Sequence, residues 1–120
     1  MPLNDFYTYR IESQSAGNIK ARISINAGHP LFKGHFPAQP VTPGVVLVEI
    51  IRKVLSQTFN KEFMLTAAKD IKFIAAVIPT ETTELELSID YERSSAGLNA
   101  NCIFSGNGQI FTKLRGEFSE

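Results

Sequence analysis

The chain has 120 residues, of which 43% are hydrophobic and 20% are charged. This composition is typical of a globular protein and excludes a disordered chain, which would contain fewer apolar residues. Twelve Lys and Arg residues balance twelve Asp and Glu residues, and the resulting net charge of zero argues against a surface built for nucleic acid or anionic lipid. The length suits one domain spanning residues 1–120.

The amino terminus and the cysteine content favour a soluble, cytoplasmic protein. The first residues, MPLNDFYTYRIESQ, have neither the basic start nor the apolar run of a signal peptide. The longest apolar stretch, 45–48, is interrupted by Glu49 and is far too short for a membrane span. Cys102 is the only cysteine, which suits a reducing compartment, and its alternating surroundings predict that it packs in the core.

Two strands and a stiff loop are predicted first along the chain. The first strand is Phe6–Ile11. The second is Asn18–Asn26, in which apolar residues alternate with polar ones at the strand period of two. The loop AGHPLFKGHFPAQPVTPG follows, and its four prolines exclude a helix there.

A helix is predicted after this loop. Thr42 is a suitable N-cap, Pro43 is favoured at the first helical position, and Asn60 is a suitable stop after Phe59. The first half of the helix is apolar almost all round, which predicts burial on most sides.

Four further strands are predicted after the helix. They are Lys69–Val77, Thr83–Arg93, Leu98–Phe104 and Ile110–Phe118. The strands are separated by a proline-containing break at 79–81, a turn at 94–97 and a hairpin turn at 106–108. One buried helix with about six strands, four of them consecutive, predicts an α+β fold in which an antiparallel sheet wraps around the helix.

His35 and Glu49 are the candidate acid/base residues. His35 lies in the stiff loop, and Glu49 lies in the apolar half of the helix, where burial is expected to raise its pKa. An imidazole and such a carboxyl group together form an acid/base pair that works near neutral pH. Alternatively, His35 is an ordinary loop residue and Glu49 forms a helical ion pair with Arg52 or Lys53.

The start of the helix is a candidate oxyanion site. Gly44 and its neighbours present free backbone N–H groups at the positive end of the helix dipole, and glycine permits a thioester oxygen to come close. Alternatively, Gly44 is simply tolerated in the first turn. His29 lies six residues before His35, but no Cys/His cluster supports a metal site.

The segment GHFPAQPVTPGVVLVE closely resembles the signature of the β-hydroxyacyl-acyl carrier protein dehydratases of the FabA/FabZ type. That signature combines a Gly-His-Phe-Pro loop, a Pro-Gly helix start and a Glu in the helix. The matching positions are Gly34, His35, Phe36, Pro37, Pro40, Pro43, Gly44 and Glu49. The stretch DIKFIAAVIPTE also resembles the family's strand with its Phe and closing Pro-Gly-Asp, and the resemblance covers about residues 18–118.

The resemblance implies a hotdog fold, a dimer or dimer-based assembly, and active sites at the subunit interface. The substrate would be a 3-hydroxyacyl group on the phosphopantetheine arm of an acyl carrier protein, and no metal or organic cofactor would be needed. His35 would take the α-proton, and Glu49, directly or through a water, would help the β-hydroxyl leave. The Gly44 N–H would polarise the thioester carbonyl, with Phe36 as a further substrate-binding residue.

Two departures from the family pattern leave the acyl specificity and the pathway open. The Glu is usually followed by Ala-Met-Ala-Gln, whereas here it is followed by Ile50–Lys53, and the closing Pro-Gly-Asp is Pro-Thr-Glu at 79–81. A specialised polyene, polyketide or lipid pathway is as plausible as housekeeping fatty-acid synthesis. A hotdog thioesterase and a non-catalytic acyl-carrier binding module are the alternatives. Contacts to an acidic carrier could come from Lys33, Arg52, Lys53, Lys61 and Lys69, or these residues form a solvated surface.

Overall fold

The computed structural model describes residues 6–30, 32 and 41–120. These residues form one helix and six strands. In chain order the elements are β1 (Tyr7–Ser15), β2 (Asn18–Ile25), α1 (Gly44–Phe59), β3 (Met64–Phe73), β4 (Glu84–Arg93), β5 (Leu98–Gly106) and β6 (Gln109–Ser119).

The six strands form a single antiparallel sheet. Their order is β1-β2-β4-β5-β6-β3, so that β1 and β3 are its edges. The inward-facing residues of the strands pack in one hydrophobic cluster with six buried residues of α1, which are Val46, Leu47, Ile50, Ile51, Val54 and Leu55. The predicted α+β architecture, one helix against an antiparallel sheet, is therefore confirmed, as is the core position of Cys102.

The predicted start of α1 is wrong by one residue. Pro43, and not Thr42, is the N-cap, with the extended backbone angles φ −61° and ψ 141°. Thr42 belongs to the extended segment before the helix, because its N–H donates to the Val77 carbonyl at 2.8 Å. The Thr42 hydroxyl has no hydrogen-bond partner among the described residues, so it does not cap the first turn.

The other end of α1 is confirmed. Asn60 adopts the left-handed conformation with φ 53°, and the Lys61 N–H after it donates to the Ser56 carbonyl at 3.1 Å. Burial on most sides is wrong at the start of the helix, where Val45 is 65% exposed.

The predicted position of β3 is wrong by about five residues at its start and four at its end. The strand runs from Met64 to Phe73, and its pairing with β6 shifts twice, between Leu65 and Ala67 and between Ala68 and Asp70. These irregularities break the alternation by which a strand is recognised in a sequence. The other strands are in the predicted places, although β1 extends beyond Ile11 to Ser15.

The predicted hairpin turn between β5 and β6 is confirmed. Asn107 and Gly108 both have positive φ, 52° and 73°, as the two central residues of a type I′ turn require. The turn between β4 and β5 is also confirmed, since the Ser94 N–H donates to the Gly97 carbonyl at 2.9 Å.

Candidate active site

Two of the four predicted site residues lie on α1. Gly44 is the first residue of the helix, and Glu49 follows five positions later. His35 and Phe36 lie outside the described residues. The geometry of the site is therefore built from α1 and from the elements that pack around its first half.

Glu49 is held by Arg52 through a bidentate ion pair. Arg52 donates from Nη2 to Oε1 at 2.7 Å and from Nε to Oε2 at 2.9 Å. These are the short, parallel bonds of a charge-assisted fork. The alternative predicted from the i, i+3 spacing, an ion pair within the helix, is thus present in the structure.

The expectation that burial raises the pKa of Glu49 is wrong. The hydrogen bonds from Arg52 lower the pKa of this carboxyl, and they outweigh the smaller opposing effect of burial. The Glu49 side chain is 32% exposed, so that its desolvation is only partial. Glu49 is consequently ionised at neutral pH, which suits a hydrogen-bond acceptor or a base rather than an acid.

Tyr7 lies beside this ion pair and was not predicted as a site residue. Its pKa is raised to about 12, first because the phenol is partly buried and second because Glu49 is negatively charged. Tyr7 therefore remains a neutral hydroxyl donor. Its ring stacks with that of Tyr9, 6.3 Å away, and the Tyr9 hydroxyl donates to Gln57 Oε1 on α1. Both tyrosines lie on β1, which is far from α1 in the sequence. Only their alternate positions along β1 could have indicated that they face the same side of the sheet.

The start of α1 is covered by the ring of Phe73. A Cβ atom placed on Gly44 would lie 2.6 Å from Cζ and 2.7 Å from Cε1 of Phe73. Only glycine allows this close approach. The ring is itself 59% exposed, so that it shields the helix start without being locked in the core.

A mainly apolar cavity of about 320 Å³ adjoins this ring. It extends between the start of α1 and the segment after β3, and its lining includes Gly44, Leu47, Phe73, Ile74 and Val77. Thr42 and Thr112 also line it, and their buried hydroxyls find no hydrogen-bond partner among the described residues. An apolar group with a few polar atoms suits such a lining.

Two other predictions concern metals and carrier docking. No three His, Cys, Asp or Glu side chains in residues 6–30, 32 and 41–120 are grouped as metal ligands, and His29 packs edge-on against Phe6 with ring centroids 5.0 Å apart. The cationic group of Arg52 is engaged by two carboxylates, and that of Lys61 lies 3.2 Å from Glu120 Oε1. Lys53 and Lys69 are exposed. Lys33 lies outside the described residues.

In the described part of the chain, no helical segment combines the length and the apolar character that a membrane crossing requires.

The sequence is similar to that of known dehydratases. The family model for ApeI dehydratase matches residues 11–113. The 3-hydroxyacyl-[acyl-carrier-protein] dehydratase FabZ of Rickettsia felis is 37% identical over 86 residues, which are 65% of this chain and 59% of the relative. FabZ of Rickettsia conorii is 36% identical over 100 residues, which are 77% of this chain and 68% of the relative. The first of these matches thus spans less than two thirds of the relative's length.

Solved structures share the fold at low sequence identity. The dehydratase heterocomplex ApeI:P from Xenorhabdus doucetiae aligns with a TM-score of 0.77 and 16% identity, covering 92% of this chain and 95% of the other. A putative thioesterase from Shewanella oneidensis aligns with a TM-score of 0.58 and 12% identity, covering 98% and 87%. The hotdog fold is confirmed, and because the family model covers most of the sequence, the chain belongs to the ApeI-like dehydratase family.

Proposed function

We propose that the protein removes water from 3-hydroxyacyl groups carried as thioesters on an acyl carrier protein, forming trans-2-enoyl thioesters. The observation that carries this proposal is the oriented, ionised Glu49 carboxylate on α1, five residues after the glycine that opens the helix. The FabZ relatives are named for this reaction. The proposal extends it to this chain, as one hotdog domain over residues 1–120.

The proposed reaction is a proton transfer coupled to loss of the hydroxyl group. His35 takes the proton from C2, the electron pair of that C–H bond forms the C2=C3 double bond, and the C3–O bond breaks. The His35 imidazolium then returns the proton to the departing hydroxyl, which leaves as water. Glu49, being ionised, accepts a hydrogen bond from the 3-hydroxyl and orients the C3–O bond. Only a proton and a hydroxyl group move, so that the mechanism requires no cofactor.

The thioester is placed at the start of α1 in this proposal. The Gly44 N–H points at the developing negative charge on the thioester oxygen, where the helix dipole also favours it. Phe36, in the same Gly-His-Phe-Pro loop as His35, lines the substrate. The acyl chain then extends into the apolar cavity beside Phe73. A cytoplasmic location fits the unpaired, buried Cys102.

We further propose that two copies of the chain associate through β3. This edge strand has no neighbour on one side among the described residues. Beside it, Val45, Phe73 and Ile74 are 65%, 59% and 54% exposed. Large apolar side chains next to an open strand edge favour pairing with another strand. A homodimer of this kind would complete the site with a second copy of the Gly34–Pro37 loop.

The test is an assay of water loss with purified variants. His35→Ala and Glu49→Gln are each expected to lower turnover by about 10²–10⁴, the usual effect of removing an acid/base or orienting group. The 2-enoyl thioester is detected by mass spectrometry after incubation with 3-hydroxyacyl thioesters of several chain lengths. Glu84→Gln, an exposed carboxylate on β4, is the matched control and should retain full turnover. Near-normal turnover in a folded His35→Ala protein would remove His35 from the mechanism.

A thioesterase is the second candidate, because an ionised carboxylate on the helix could also activate water. The putative thioesterase with the same fold shows that the scaffold is shared by proteins given that name. The same assay separates the two candidates. Release of a free thiol with the acyl group still hydroxylated supports the thioesterase, whereas a 2-enoyl thioester opposes it.

A further inference from the structure

The guanidinium group of Arg52 is anchored on both of its sides. One side forms the fork with Glu49, and Nη1 on the other donates to the Phe63 carbonyl and to Glu62 Oε2, both at 3.3 Å. Phe63 is itself held in place, because its ring is buried and its N–H donates to Ser56 Oγ at 3.0 Å. The orientation of the Glu49 carboxylate is therefore tied to the segment between α1 and β3.

This arrangement differs from an ordinary ion pair on a helix surface. Exposed pairs contribute little, since solvent screens them and both side chains lose freedom when they associate. Here the Arg52 side chain is only 15% exposed, and its Nη1 donates to the Phe63 carbonyl, a bond in which Glu49 takes no part. Arg52 thus presents a fixed pair of N–H donors to the Glu49 carboxylate.

We propose that Arg52 is a positioning residue of the dehydration reaction, which fixes the plane of the Glu49 carboxylate so that its free lone pairs face the substrate hydroxyl. The inference rests on the proposed function. Each carboxylate oxygen accepts one N–H of Arg52 and keeps a second lone pair for another donor. Rotation of the carboxylate would break both bonds of the fork at once.

The charged and titratable groups around Glu49 define what a variant must leave unchanged. Arg52 and Lys53 lie on its own helix, Tyr7 faces it from β1, and Glu62 lies on the far side of Arg52. Lys53 also lowers the pKa of Glu49 through its charge, but Arg52 does so mainly through its hydrogen bonds. Lys53→Gln therefore removes one positive charge from the same helix without touching the fork.

The test compares Arg52→Gln and Arg52→Lys with Lys53→Gln and wild type. Substrates are 3-hydroxyacyl pantetheine thioesters, so that carrier docking plays no part. We expect Arg52→Gln to lower kcat on the order of ten- to a hundred-fold with little change in KM, because the carboxylate loses its orientation. Arg52→Lys should recover part of this loss, and Lys53→Gln should remain close to wild type.

A second readout does not depend on activity. Carbon-13 labelling of the glutamates allows the Glu49 carboxyl to be titrated by NMR, with Glu49→Gln used to assign its signal. The titration should move to higher pH in Arg52→Gln and move less in Arg52→Lys and Lys53→Gln. Circular dichroism at each pH establishes that the variants are folded. If Arg52→Gln does not fold, Arg52→Lys still tests the inference, because lysine keeps the positive charge and the aliphatic stem but cannot form the fork.

The outcomes separate the inference from the proposed function. If turnover falls in Glu49→Gln but stays at the wild-type level in both Arg52 variants, the inference alone is overturned. A Glu49 titration that is the same with and without Arg52 would also overturn it. Failure of wild type to form any 2-enoyl thioester would overturn the proposed function, and the positioning role with it.

Discussion

Glu49 links the stability of the fold to pH. Because Arg52 lowers its pKa in the folded chain, the folded state binds fewer protons than the unfolded state between the two pKa values. The stabilisation is complete above the ordinary glutamate pKa of about 4.3 and is lost as the pH falls through the lowered value.

Glu49→Gln should therefore reduce the free energy of unfolding at pH 7 by about 1 kcal/mol, the upper end of the range for exposed pairs, because both side chains are partly buried. The difference from wild type should shrink as the solution is acidified below the lowered pKa, because the protonated glutamic acid then resembles glutamine. Urea unfolding of both proteins at neutral and acidic pH measures this. A difference that is equally large at both pH values would contradict the ion-pair explanation.

Gly44 and Phe73 form a contact that a single methyl group should disturb. In Gly44→Ala the new Cβ would meet Phe73 Cζ at 2.6 Å, and the half-exposed ring must swing away. We expect a loss of stability of about 1 kcal/mol, in the lower part of the range for overpacking, and a larger loss of activity. Thermal unfolding and the water-loss assay on the same preparation measure the two effects.

The double variant Gly44→Ala/Phe73→Ala identifies the cause of that loss. If displacement of the ring is responsible, then adding Gly44→Ala to Phe73→Ala should change activity little. A further large drop indicates that the methyl group itself blocks the approach to the helix N–H. Parallel loss of stability and activity in Gly44→Ala would leave the oxyanion role without support.

The end of α1 depends on one residue in the left-handed conformation. Asn60 has φ 53°, a region that is costly for residues with a Cβ and is tolerated by asparagine. Asn60→Ala should reduce the free energy of unfolding by about 1 kcal/mol, whereas Asn60→Gly should match or exceed wild type. Chemical denaturation of the three proteins provides the measurement, and equal stability of the Ala and Gly variants would count against the cap.

The two edges of the sheet differ in a way that matters for assembly. β1 contacts α1 through Tyr9 and carries the ion pairs of Glu12 with Arg10 and Arg22. Both edge strands are exposed along much of their length, but β3 ends at the exposed apolar Phe73, which Ile74 follows. This asymmetry makes β3 the edge at which a second chain is expected.

The proposed dimer predicts that two inactive proteins can restore activity together. His35→Ala and Glu49→Ala chains are mixed and allowed to exchange subunits after partial denaturation. If each site combines His35 of one chain with Glu49 of the other, about half of the dimers are mixed, and each has one intact site. Activity should then recover to about a quarter of wild type.

The control is each variant taken through the same denaturation step alone, which should remain inactive. Subunit exchange is followed with differently tagged chains. Exchange without recovery would show that His35 and Glu49 act within one chain, and the shared site would be wrong.

Local interactions determined much of the fold, and the sequence was sufficient for those parts. Alternation predicted β2, β4 and β5, and Asn107-Gly108 predicted the hairpin turn because few residues tolerate two positive φ angles. The resemblance of the Gly34–Glu49 segment to the dehydratases, confirmed by the family match, likewise depends only on residue types and their spacing.

Only the tertiary structure decided the position of β3 and the state of the site. The pairing of β3 with β6 shifts its register twice, and no local pattern in the sequence records a pairing with a strand so far along the chain. The spacing of Glu49 and Arg52 allowed an ion pair, but the Phe63 carbonyl holds the guanidinium in place from outside the helix. The pKa of Glu49 therefore falls instead of rising, since it depends on which groups the fold brings to the carboxylate and not on the apolar residues beside it in the sequence.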